Sequence, residues 1–215
     1  LARSNQDAAQ SELAAATERL FRRAANQADN LARWDETRQQ LVAPEYYAYW
    51  RDQRVYQNGM LTSRHARAGL YIPSGAPLSP NPSGYRLPLL LPAGIAAYQP
   101  SSWLSNEAGA IVFYQAFPVF SDEHRRSLLG HGLIRVDFMA ELLRQEDFHF
   151  VDPVSVKLTL KPGETLAPQD LFSRLVFSAR IDRNQQRFQT IMSHTLLALF
   201  VLLVATGLLG YLIYN

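Results

Sequence analysis

No Asp, Glu, Lys or Arg follows Arg187, so the last 28 residues of this chain carry no formal charge. Within them, Thr195 to Ile213 reads TLLALFVLLVATGLLGYLI. A helix rising about 1.5 Å per residue needs roughly 20 apolar residues to cross about 30 Å of hydrocarbon. This run meets that length. It also lacks the polar face that a core helix of a soluble domain normally keeps. Tyr211 and Tyr214 stand near its far end, where interfacial aromatics gather. The pattern predicts a transmembrane helix over residues 191–214, and its C-terminal position excludes a signal peptide. The first residue is Leu1 and the last, Asn215, directly follows the apolar run, so the chain reads as a piece of a longer membrane protein.

The remaining residues have the composition of a folded domain. Apolar side chains make up 47% of the 215 residues, too many for global disorder. A net charge of +2 with dispersed basic residues offers no polybasic face, so no nucleic-acid partner is expected. The absence of Cys excludes disulfides, Cys-ligated zinc, iron–sulfur clusters and a thiol nucleophile.

Ser4 to Val42 contains no Gly or Pro and is rich in Ala, Gln, Glu, Arg and Leu, which predicts one long helix stopped by Pro44. Leu13, Leu20, Ala24, Leu31 and Trp34 fall on one stripe. At about 58 Å such a helix is too long to pack wholly on a small domain. Its first half is expected to project toward a membrane or to pair with a second copy. A short helix is predicted from Glu45 to about Tyr56, then a turn at Asn58-Gly59. Strands are predicted at Ala68–Ile72, Ala110–Phe120, Gly132–Asp137, Val154–Lys161 and Leu175–Ile181, with a Pro-rich loop over 73–84 and a helix over Phe138–Gln145. The fold class is therefore α+β, with a mostly antiparallel sheet and helices on one side. The domains divide as a helix over 1–43, an α/β domain over 44–190 and the membrane helix. Asp182 and Gln185 form a capping-box pattern, so the last strand runs into the membrane helix without a flexible linker.

Catalytic signatures are missing. There is no G-x-x-x-x-G-K-[ST], G-x-G-x-x-G or G-x-S-x-G, and the five histidines form no H-x-x-x-H pair. No reaction, cofactor or metal is expected of this chain.

The order of elements, a long helix, a mixed domain and a closing span, resembles extracytoplasmic sensor domains of bacterial receptors, the Cache and CHASE group. Short motifs are similar to the fourth CHASE family: Trp34-Asp35-Glu36-Thr37 at the end of the first helix, and Gly69-Leu70-Tyr71-Ile72 before Pro73-Ser74-Gly75. Two more follow, Phe117 to Asp122 and Gly130 to Arg135. The family's Asp-x-x-Gly turn after the first strand is replaced here by Ser74-Gly75. The resemblance covers most of residues 10–190. It implies a PAS/Cache-like sheet and a periplasmic input domain, residues 1–190, held in the inner membrane of a bacterium. It also implies a homodimer that passes a signal to a cytoplasmic cyclase, phosphodiesterase, kinase or chemoreceptor body. A periplasmic interaction or scaffold domain is the alternative. For pairing, the residues offer Leu13 and Leu20 on the long helix and the Thr206–Gly210 small-xxx-small spacing in the span.

In Cache-like sensors the pocket lies against one face of the sheet, closed by the long helix and the loops that follow it. Alternation puts Leu133, Arg135 and Asp137 on one face of their strand, and Ile134 and Val136 on the other. The charged face is either solvated or the floor of a pocket, with Tyr71 and Tyr114 as aromatic walls and Arg51 in the segment that would cap it. Guanidinium groups beside aromatic rings suit a carboxylate. The expected ligand is a small anionic or zwitterionic metabolite near Arg51, Tyr71, Tyr114, Arg135 and Asp137.

Overall fold

The structure, a computed structural model, describes residues 2–80, 86–93, 95, 98–122, 124 and 126–180. Five helical elements are numbered α1 (Ala2–Arg33), α2 (Asp35–Val42), α3 (Tyr47–Tyr49), α4 (Val55–Gln57) and α5 (Phe138–Gln145). The strands are β1 (Ala66–Tyr71), β2 (Ser101–Glu107), β3 (Ala110–Phe120), β4 (Leu128–Asp137), β5 (Lys157–Leu158), β6 (Thr165–Leu166) and β7 (Leu175–Val176). A π-helical turn, Trp50–Arg54, joins α3 to α4. Five strands form an antiparallel sheet in the order β1-β4-β3-β2-β6, and β5 and β7 pair separately.

The α+β class and the long N-terminal helix hold, but the helix differs from its prediction twice. It breaks at Trp34, whose backbone is extended (φ −70°, ψ 126°), so α1 and α2 are separate helices. The indole leaves the helix line to pack on Trp50, 6.0 Å between ring centroids. Asp35 and Glu36 then open α2, where negative charge suits the helix N-terminus. Nor does the first half of α1 project. Ala9, Leu13, Ala16, Leu20, Ala24, Ala28 and Leu31 are all buried, at spacings of three and four that make one stripe. The four alanines let the helix lie close on the domain, and Phe21 packs on Phe113 and Phe138. Leu13 and Leu20 are thus core residues, 0% and 4% exposed, and do not form a seam for a second copy.

The N-terminal turns of α1 are held by one side chain. The Glu12 carboxylate accepts hydrogen bonds from the backbone N–H groups of His149 (2.7 Å), Phe150 (2.8 Å) and Val151 (3.0 Å). Val151 bridges to Ala179, and the Arg180 N–H donates to the Phe150 carbonyl at 2.6 Å. Glu12 in the N-terminal half of α1 and the last described residues are therefore joined through 149–151.

Each face of the sheet is covered. Leu104, Phe113, Phe117, Ile134 and Val136 join the core beneath α1. On the other face, Tyr71, Val112, Tyr114, Ala116 and Leu133 are covered by Leu87 and Leu91 from the long excursion between β1 and β2. Gly132 permits one close approach: a Cβ there would meet the Phe117 ring at 2.1 Å.

Two strand predictions shrink. Val154–Lys161 yields only β5, because Pro153 opens a 3₁₀ turn whose first N–H groups turn to Asp152; Val154 is 86% exposed. Leu175–Ile181 yields β7 and the Ala179 bridge, and Ile181 lies outside the described residues. The Asp182–Gln185 cap, the Thr195–Ile213 span, the Thr206–Gly210 spacing and residues 81–84 of the Pro-rich loop also lie outside them. Among the described residues, no helix is long and apolar enough to cross a membrane.

Candidate functional site

Register places four of the five expected site residues on one face of the sheet. Tyr114 stands directly opposite Arg135, and Tyr71 opposite His131. Residues opposite each other in an antiparallel pair share a face. Asp137 is on that face by alternation. Neither Tyr71, Tyr114 nor Arg135 is solvated, at 1%, 2% and 3% exposure.

Three of the four form one network around a residue that sequence reasoning did not find. Arg135 donates through Nη1 to Asp137 Oδ1 at 2.7 Å and through Nη2 to Glu107 Oε2 at 3.4 Å. The Tyr114 hydroxyl donates to Glu107 Oε1. Burial works against the Arg135 charge, but Asp137, then Tyr114 and Glu107, hold the guanidinium protonated, above its ordinary value. Burial, then the bond to Glu107, pushes the Tyr114 phenol far above the usual tyrosine range. Trp103 stacks on Tyr114 at 5.1 Å and closes the outer side. One guanidinium thus meets two carboxylates, and its Nε–H is buried with no acceptor among the described residues.

Tyr71 shares the face but not the network. Four residues along the paired strands separate it from Arg135, roughly 13 Å. Its hydroxyl donates to the Pro88 carbonyl at 2.9 Å, and burial pushes the phenol up. Arg51 stands on another element, the π-helical turn at the outer edge of β1. It bonds Asp52 at 2.8 and 3.1 Å and lies over the Tyr47 ring at 5.5 Å, while the Tyr47 hydroxyl accepts the Leu70 N–H. Those contacts anchor the edge strand.

Glu107 escaped prediction because β2 did. The available signal was Gly109: Ala108 and Gly109 (φ 50° and 89°) form a two-residue hairpin turn that returns β2 along β3, with Glu107 opposite Ala110.

The opposite face carries an open space. A cavity of about 450 Å³ lies between the last turns of α1 and the far half of β3. Ala25, Ala28 and Ala32 leave room on the helix side, and Phe117, held flat on Gly132, forms the floor with Gln115. Tyr98 and Phe120, stacked at 5.9 Å, and Arg33 and Arg38, on either side of the Trp34 break, complete the lining. Gln115 is 6% exposed and makes long bonds through Nε2 to the carbonyls of Ser101 (3.4 Å) and Ala116 (3.3 Å). Among the described residues, no three His, Asp or Glu side chains gather to hold a metal ion.

No protein-family model matches this chain, and no curated protein matches it.

Proposed function

We propose that this chain is the extracytoplasmic input domain of a bacterial membrane receptor of the Cache and CHASE kind, anchored by the apolar run after Arg187. It binds a small anionic or zwitterionic ligand and passes the change along α1 and the C-terminal segment. The observation that carries this reading is the Glu12 clasp. One carboxylate ties the first turns of the long helix to 149–151, and 149–151 is bonded to 179–180, just ahead of the apolar run. Such an arrangement suits a tethered sensor, because it couples the N-terminal half of α1 to the last described residues by hydrogen bonds. Pairing with a second copy falls to the exposed side of α1, since Leu13 and Leu20 are buried.

The absence of Cys makes the test direct. The full chain should sediment with membranes and resist carbonate extraction, whereas a chain ending at Gln189 should be released. In cells carrying the complete gene, Asn58→Cys, at an exposed turn, should react with an impermeant maleimide without lysis. A full chain that is soluble without detergent, or a Cys labelled only after lysis, would sink the reading.

A further inference from the structure

We propose that the cavity between α1 and β3, on the face opposite Arg135, binds a small aromatic carboxylate, with its carboxylate on Arg38 and its ring against Phe117 and the Tyr98–Phe120 pair. This names the ligand site of the proposed receptor and in that sense rests on that reading, but binding is measured whether or not the chain inserts into a membrane.

Three observations carry the assignment. The first is size and surface. About 450 Å³ falls within the range of small-molecule sites, and such sites combine apolar walls with a few placed polar groups. Alanines on one side and aromatic rings on the other leave a slot suited to a flat ring.

The second is an unmet hydrogen-bond donor. Arg38 gives Nη1 to the exposed Asp35 at 2.7 Å, but its Nε–H is buried without an acceptor among the described residues. A buried donor without a partner is costly, and a small rotation of the Arg38 side chain would turn its Nε edge to a carboxylate, which presents two oxygens to it. The neighbouring cation does not compete, because Arg33 is already paired with Asp29 through Nε and Nη2, each at 3.0 Å. Asp122, at the border, lies near Arg126 at 4.0 Å.

The third is contrast with the other face. There Arg135 also leaves its Nε–H unmet among the described residues, but its two Nη groups already meet two carboxylates whose negative charge opposes an incoming anion. Arg38 has one such partner, exposed and on its own helix.

The test is isothermal titration of the full chain in detergent with phenylacetate, and with phenylacetamide as its uncharged counterpart. Phenylacetate should bind with 1:1 stoichiometry and the amide at least about tenfold more weakly, as expected for loss of one charge-assisted contact. Arg38→Gln should weaken phenylacetate by about the same factor and erase the preference for acid over amide. Ala25→Phe should abolish binding by filling the slot; residue 25 is exposed, so the fold should survive, as an unchanged circular dichroism spectrum and Tm would report. Tyr114→Phe, on the other face, should leave binding intact. Equal binding of acid and amide would overturn the Arg38 assignment. No binding by either probe would overturn the ligand class. Binding that survives Ala25→Phe but is lost in Tyr114→Phe would move the site to the Arg135 face. None of these outcomes depends on the fractionation and labelling results, so the two readings fail separately.

Discussion

Glu12 is a short polar side chain with a large structural role, since three consecutive backbone N–H groups converge on it. Burial raises its carboxyl pKa, but the donors from His149, Phe150 and Val151 outweigh burial and hold the group below the usual carboxylate range. The sign follows from proton linkage. Its folded-state pKa is depressed, so its contribution is full above the unfolded value of about 4.3 and is lost as pH falls through the folded value. Glu12→Gln should therefore cost about 1–2 kcal/mol near neutral pH and flatten the acid limb of a chemical-denaturation series. An unchanged acid limb would show that the three bonds do not form in solution. His131 works in the same direction at higher pH. Its Nδ1 is buried without a partner among the described residues, and burial lowers its pKa. Stability should fall as pH drops from about 6.5 through the folded value, because the unfolded chain binds the proton first. His131→Phe should remove that slope, which a denaturation series between pH 5 and 8 would detect.

At the level of elements, Gly132 and Gly109 separate two kinds of glycine requirement. A Cβ on Gly132 would collide with the Phe117 ring, so Gly132→Ala should cost about 1–3 kcal/mol by overpacking and drive the ring into the cavity. Gly109 has open space around it but a φ of 89°, so Gly109→Val should cost about 1–2 kcal/mol through backbone strain alone. Both are read from thermal or urea unfolding. What could be foreseen at this scale follows from periodicity. The stripe on α1 and the alternation of Leu133, Arg135 and Asp137 against Ile134 and Val136 are local patterns, and each appears with the expected faces. β2 was not legible, because Ser101, Ser102, Ser105 and Asn106 are poor strand formers and its pairing is set by β3 and β6. With β2 missed, Glu107 was missed, and the charged face with Arg135 and Asp137 was left as either solvated or the floor of a pocket. The break at Trp34 was equally hidden, since no Gly or Pro marks it and the Trp50 ring on which the indole packs lies outside the helix. The cavity depends on how α1 crosses β3, which no single segment encodes.

On the scale of the whole molecule, burial along all of α1 predicts its exchange behaviour. Amides from residue 9 through residue 31 should exchange slowly as one block, because the stripe from Ala9 to Leu31 is packed throughout. Fast exchange before residue 20 would restore a projecting helix. The clasp also gives α1 a fulcrum. From Glu12 to Arg33 the helix runs about 32 Å, and from Glu12 back to Ala2 about 15 Å. A stiff rod pinned at that point is a lever with arms near two to one. A tilt that moves the Arg33 end by 1 Å toward β3 swings the Ala2 end by about half that distance the opposite way. The same motion loads the 149–151 backbone, which is bonded to the segment leaving the domain. One rotation would thus move the two ends of α1 in opposite senses while the backbone at 149–151, tied to the pivot, takes up the torque.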